Sequence, residues 1–362
     1  MTRRVTGSGI LAAAALATAL SACGSASTPT APATHQSSSP TPAAQGAGAF
    51  KPWPAQVFSP YFETWTSSGS IPSLASQSGT HYFNLGFLQA ASAGSCTLTW
   101  DGSQSADSPL YQSEIGQLKQ QGGNVALTFG GQSAGDNGTE IADSCTSVSA
   151  LAADYEAVIN TYHVSRLDMD VELNALNNSA GIDRRNKALA LTQAWATSHG
   201  YPLQIQYTLP VQPSGLAPNA LAVLQSAVQA GVKVSLVNLM TFDYYDLPGG
   251  VDMGSAATEA ATSVNSQLAD LYPKESRQER YAMEGITFLP GIDDNPSKTE
   301  VTQLSDARQI LTFARDHSLG LLSIWAIQRD NGSCPGSIDS NSCSGIPQDS
   351  WAFSHLVESF TS

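Results

Sequence analysis

The chain has 362 residues and a formal net charge of −14, from 16 Lys+Arg against 30 Asp+Glu. Only 13% of residues are charged while 41% are hydrophobic and 8% aromatic, which argues against a wholly disordered chain. The acidic balance argues against a nucleic-acid partner, which needs a basic face to neutralise phosphates, and the length allows one large domain or two ordinary ones.

In chain order, Arg3 and Arg4 precede a short apolar run over Ile10–Leu20. This reads as a signal peptide over residues 1–23, too short for a membrane span. The run ends in Leu20-Ser21-Ala22-Cys23, a pattern that resembles a bacterial lipobox. Cys23 is then the expected lipidation point, and the chain is exported and held to the membrane by a lipid anchor only. Residues 24–54 are Ala, Ser, Thr, Pro, Gln and Gly, with too little apolar area to offset their ordering entropy, and read as a tether. The folded domain is expected over 55–362. Setting Cys23 aside leaves Cys96, Cys145, Cys334 and Cys343, an even number that suggests two disulfides in an exported chain. The short gap from Cys334 to Cys343 suits one, which leaves Cys96 with Cys145.

From residue 55, short β-rich runs alternate with helical stretches. Strands are expected at Val57–Trp65, Tyr82–Leu88, Val125–Phe129, Val164–Val171, Leu203–Leu209, Val234–Phe242, Gly285–Leu289 and Gly320–Ile327. Helices are expected at Ile71–Ser78, Ser108–Gln121, Ser149–His163, Asp183–His199, Pro218–Ala230, Ser255–Leu271, Thr299–Ser318 and Gln348–Phe360. Eight such units predict a single α/β domain, a (β/α)8 TIM barrel. A doubly wound open sheet would normally show a glycine-rich loop after its first strand, and Trp65-Thr66-Ser67-Ser68-Gly69 is not one.

The most informative segment is Leu167-Asp168-Met169-Asp170-Val171-Glu172-Leu173. Alternate strand residues share a face, so Asp168, Asp170 and Glu172 point one way and Met169 and Val171 the other. In a barrel the acids face inward, with Glu172 at the carboxyl end where barrel active sites lie. Crowded carboxylates raise at least one pKa, which can keep Glu172 protonated as a general acid, with Asp170 sharing its proton. A calcium loop would want Gly where Leu173 stands and polar spacers where Met and Val stand. The six His are scattered, no zinc ligand set appears, and no metal or other cofactor is expected.

The ladder resembles the signature of glycoside hydrolase family 18, the chitinases and their relatives, in which Asp-Gly-x-Asp-x-Asp-x-Glu lies on the fourth barrel strand. Ser165 and Arg166 stand where its first Asp and Gly are usual. Thr128-Phe129-Gly130-Gly131 resembles the third-strand motif, in which Gly130 and Gly131 would let a sugar approach the backbone. Met240-Thr241-Phe242-Asp243-Tyr244 resembles the sixth-strand motif and Ser323-Ile324-Trp325-Ala326 the eighth.

This resemblance implies a retaining, substrate-assisted hydrolysis of β-1,4-linked N-acetylglucosamine polymers or oligomers. Glu172 would be the proton donor, Asp170 would orient the substrate acetamido group, and Asp168 would share the proton of Asp170. Asp243 and either Tyr244 or Tyr245 would hold the acetamido group, with Met240 beside them and Trp325 as the floor under the sugar. Tyr61 and Trp65 are candidates for the cleft wall. The partner would be an N-acetylglucosamine-containing saccharide and the protein a monomer. Alternatives on the same barrel are an endo-β-N-acetylglucosaminidase acting on N-glycans and a non-catalytic sugar-binding lectin.

Overall fold

Eight runs of branched and aromatic residues pair side by side until the last meets the first. The computed structural model describes residues 50–362 apart from 67–68, 107–109, 246, 248–249, 295–298 and 339–340. The expected signal peptide, Cys23 and residues 24–49 lie outside the described residues, as does the start of the helix expected from Ser108. The ring runs from the first strand to Leu321–Ile324, Glu284–Phe288, Val234–Met240, Gln204–Pro210, Arg166–Asp170, Asn124–Gly130 and Tyr82–Ala90, and back to the first. Every one of these pairings is parallel, as in a (β/α)8 barrel.

The first strand closes the ring in two pieces. Val57–Phe58 pairs with the eighth strand and Tyr61–Glu63 with the second. The break falls at Ser59-Pro60, because proline has no N–H to donate. The Ser59 N–H still reaches Leu322 O at 2.9 Å, and the Pro60 carbonyl accepts from Asn84 N at 2.9 Å. The chain thus changes partner between these two residues.

Side-chain alternation divides the core. Leu167, Met169 and Val171 face the helices in one large apolar cluster. Inside the barrel, Val57, Tyr82, Ala126, Leu236 and Leu321 form an apolar bottom layer together with Trp53. The next layer up is polar: Asn84, Thr128, Asp168, Gln206, Asn238 and Ser323 are all wholly buried. Trp53 belongs to this core, so the expected tether to residue 54 ends earlier. Its ring packs on Tyr82, with centroids 5.3 Å apart.

Several boundaries move for local reasons. The helix expected from Asp183 begins at Ser179, capped by Asn178, whose side chain accepts from Gly181 N. Asp183 instead pairs with Lys187 one turn on, at 2.7 Å. The helix expected from Thr299 begins at Leu304, because Val301–Thr302 forms a short antiparallel ladder with Gly291–Ile292. The helix expected from Gln348 is confined to Ala352–Val357, followed by a 3-10 turn. Two short helices, Gln132–Asn137 and Ile141–Ser144, follow the third strand and were not expected. Cys96–Cys145 and Cys334–Cys343 are both bonded as expected. No helix among the described residues is long and apolar enough to cross a membrane.

Candidate active site

The strand alternation carries the acid ladder up the barrel axis. Asp168 lies lowest, wholly buried. Its Oδ2 accepts from the Tyr61 hydroxyl at 2.8 Å and the Thr128 hydroxyl at 3.0 Å, and its Oδ1 from the Thr208 hydroxyl at 2.8 Å. Asn238 Nδ2 donates to both Thr208 Oγ1 and Tyr61 Oη, at 3.1 and 3.3 Å. Burial pushes Asp168 up to about 6 against these donors, which favour the anion.

Asp170 ends the strand with far less support. Its Oδ1 has no hydrogen-bond partner among the described residues. Burial, then the charges of Glu172 and Asp168, push its carboxyl well above the usual range and so favour its protonated form.

Glu172 stands at the mouth. The Val171 N–H still bonds Thr208 O at 3.1 Å, extending the ladder one residue past the strand. Leu173 then turns with φ +49 into the 3-10 turn Leu173–Asn177. Gly135 packs against the Glu172 carbonyl: a Cβ there would lie 2.6 Å from the oxygen. The helix Gln132–Asn137 therefore presses directly on the backbone that carries the acid. Burial, then Asp136 and Asp294, push Glu172 up to about 7.

Around these acids opens a cleft of about 580 Å³. Asp170, Glu172, Met240, Asp243, Tyr245 and Trp325 all line it. Tyr244 does not; it is 1% exposed and packs in the core behind the strands. Of the two tyrosines left open by sequence, the cleft therefore holds Tyr245, 59% exposed at the rim. The loop is pinned from the far side. Asp243 N donates to Asp293 Oδ2 at 3.0 Å, and the Tyr244 and Tyr245 N–H groups donate to Glu300 at 3.0 and 2.9 Å. Burial, then the charge of Asp293, push Asp243 up to about 9. Asp243, Asp293 and Asp294 bring carboxylate oxygens within 4.8 Å of one another, and a proton on Asp243 relieves that crowding.

Trp325 joins an aromatic wall. Its ring lies 5.4 Å from Tyr61 and 5.5 Å from Phe87, which in turn stacks on Trp65 at 5.9 Å. A second hollow of about 590 Å³ lies on the far side, lined by Trp65, Asp101, Asn137 and Asn341 among others; Phe87, Gln132, Asp294 and Trp325 line both hollows.

Gly130 and Gly131 lie close against other parts of the protein. Neither lines the cleft. A Cβ on Gly130 would lie 2.1 Å from the Asp170 carbonyl oxygen, and one on Gly131 would lie 2.7 Å from the Phe87 ring. With φ of +100 and +84 as well, these glycines let other parts of the protein come close. They seat Asp170 and the aromatic wall.

Sequence reasoning missed Asp136, Asp293, Asp294 and Glu300. Each comes from a loop or short helix distant in sequence from the ladder, and no local pattern marks them.

The raised acids set the pH dependence of stability. Asp168, Glu172 and Asp243 hold protons at higher pH folded than unfolded. Each therefore supports the fold fully below its unfolded pKa of about 4 and withdraws that support as pH rises through its folded value. Tm is expected to be higher at pH 5 than at pH 8, read by thermal denaturation at constant ionic strength. A higher Tm at pH 8 would contradict the raised values.

The chain is similar to known proteins over most of its length. The description Glycosyl hydrolases family 18 matches residues 57–298. A protein of Escherichia coli (strain K12) named "Probable bifunctional chitinase/lysozyme" is 33% identical over 323 residues, 86% of this chain and 35% of that one. "Endochitinase 11" of Metarhizium anisopliae is 34% identical over 288 residues, 77% of this chain and 53% of that one. The chain thus spans about a third to a half of the length of these relatives. The catalytic domain of a hyperthermophilic chitinase from Pyrococcus furiosus superposes with a TM-score of 0.73 at 29% identity, covering 85% of this chain and 96% of that one.

Proposed function

Because the chain belongs to family 18 of the glycosyl hydrolases, we propose that it hydrolyses β-1,4-linked N-acetylglucosamine oligomers or polymers with retention of anomeric configuration. The observation that carries this reading is Glu172: a carboxyl raised to about 7, at the open mouth of the barrel, above Asp170, whose carboxyl is itself raised by burial and by its acidic neighbours. Glu172 donates its proton to the glycosidic oxygen as that bond breaks. The substrate's own 2-acetamido carbonyl attacks C1, which gives an oxazolinium ion, and water then opens it with Glu172 as base. Family 18 is an exception to the scheme with two enzyme carboxylates for this reason.

The ladder suits this division of work. Asp170, pushed toward its protonated form and short of partners, orients the acetamido N–H and passes its proton down to Asp168 as positive charge develops. Asp168, bonded by three hydroxyls, receives it. Asp243 and Tyr245 hold the acetamido oxygen, and Trp325 supports the sugar face. The named chitinases among its relatives support chitin-type saccharides over N-glycans. The two disulfides support an oxidising compartment, in keeping with export and an anchor at Cys23.

The test is a side-by-side assay of the full chain on chito-oligosaccharides and on a high-mannose glycoprotein. Cleavage of the oligosaccharides supports the proposal. Release of the N-glycan alone points to the endo-β-N-acetylglucosaminidase, and binding of either without turnover to a lectin.

A further inference from the structure

Arg166 opens the fourth strand two residues below Asp168, and so shares its inward face. It is 3% exposed. The register Leu127↔Leu167 sets it level with Ala126 in the apolar bottom layer. Its ligands there are neutral. Nε and Nη2 both donate to Gln204 Oε1, at 2.9 and 2.7 Å, and the guanidinium lies 3.8 Å from the centre of the Trp53 ring. Nη1 has no hydrogen-bond partner among the described residues. The ion pairs found among those residues are Arg185–Glu140 and Lys187–Asp183, neither of which includes Arg166.

A buried cation in apolar surroundings requires a counter-charge. One pleat up the strand, about 7 Å on, stands Asp168. We propose that Arg166 is a positioning residue for the acid ladder, the fixed positive charge that keeps Asp168 ionised in the resting site, so that the proton of the lower pair sits on Asp170 until the glycosidic bond breaks. This deepens the hydrolase reading and rests on it for the catalytic consequence.

The groups that face Asp168 leave this role to Arg166. Tyr61 from the first strand, Thr128 from the third, and Gln206 and Thr208 from the fifth are neutral; the Tyr61 hydroxyl is held protonated by burial and then by Asp168. Asp170 above is an acid, so its charge would oppose that of Asp168. Asn238 on the sixth strand acts through Tyr61 and Thr208. The hydroxyl bonds are the nearer influence on Asp168, and the guanidinium acts from beyond them. Reciprocally, burial pulls Arg166 down to about 9 and the charge of Asp168 draws it back up. The Gly usual at this point of the family signature would supply no charge.

Two neutral variants, Arg166→Met and Arg166→Gln, and the charged Arg166→Lys separate this role from simple packing. The readouts are the Asp168 carboxyl titration by 13C NMR, assigned with Asp168→Asn, and the pH profile of kcat/KM on chito-oligosaccharides. Either neutral variant is expected to raise the Asp168 midpoint and the acid limb by about half a unit to one unit. KM and the alkaline limb, set by Glu172, are expected to stay, and Arg166→Lys to keep the acid limb in place. A folded neutral variant with an unmoved Asp168 midpoint overturns the proposal. So does an Asp168 midpoint above about 7 in the intact protein, whether or not a neutral variant folds. If the intact chain cleaves no chito-oligosaccharide, the hydrolase reading fails, and the carboxyl titration still decides the role of Arg166.

Discussion

Replacing Glu172 with Gln is expected to lower kcat on chito-oligosaccharides by about two to four orders of magnitude, the range for loss of one general acid, with Kd for the oligomer within about threefold of the parent. The amide fills the same space and offers hydrogen bonds to the same sugar oxygens, but it has no proton to give. The other carboxyls nearby are poorly placed to substitute. Asp170 lies a pleat deeper in the barrel, and Asp243 lies across the cleft in the loop after the sixth strand and belongs to the Asp293–Asp294 group. Kinetics and equilibrium binding on the same preparation separate the two effects. A fall of less than about tenfold would assign the donor elsewhere, and parallel loss of binding would mean that the substitution had disturbed the cleft itself.

Replacing Arg185 with Met is expected to cost about 3–5 kcal/mol of stability, a large share of the roughly 5–15 kcal/mol that holds a domain together. Arg185 on the helix Ser179–Ser198 pairs with Glu140 at 3.0 Å, with both side chains almost wholly buried. Glu140 Oε2 also caps the helix Ile141–Ser144, accepting from Ala142 N and Asp143 N at 2.8 and 3.1 Å. Its Cγ lies 3.7 Å from where a Cβ on Gly130 would stand, directly behind the turn that seats Asp170. Without the guanidinium, Glu140 is an uncompensated buried anion, and that penalty dominates the loss. Urea denaturation would show it as a lower midpoint with the slope unchanged. The double variant Glu140→Gln, Arg185→Met is expected to regain part of the loss, because neither charge is then left alone. A loss below about 1 kcal/mol would show that this buried pair contributes no more than a surface bridge does.

The parts legible from sequence are those with short-range periodicity. Leu167 to Val171 alternates so regularly that both faces follow from two-residue spacing, and the structure places Met169 and Val171 in the core and Asp168 and Asp170 on the axis. Cysteine parity and spacing yielded both disulfides. What stayed hidden depends on chain segments that meet only in space. Trp53 lies between two prolines in a stretch that reads as tether, and its burial comes from groups distant in sequence: the guanidinium of Arg166, the ring of Tyr82 and the apolar layer with Ala126, Leu236 and Leu321. Tyr244 and Tyr245 are neighbours of the same type, separated by a left-handed backbone at Asp243 and Tyr245 and by the carboxylate of Glu300, more than fifty residues on. The glycines after Phe129 mark a close approach, but sequence cannot say whether the approaching atoms belong to a ligand or, as here, to Asp170 and Phe87.

Cleavage of N,N′,N″,N‴-tetraacetylchitotetraose by the full chain, followed by 1H NMR from the first seconds of reaction, tests the chemistry most directly. Attack by the acetamido oxygen and then by water predicts that each new reducing end appears as the β anomer and mutarotates afterwards. An initial α anomer would contradict the account, as would equal cleavage of the de-N-acetylated tetramer, which has no carbonyl to form the intermediate.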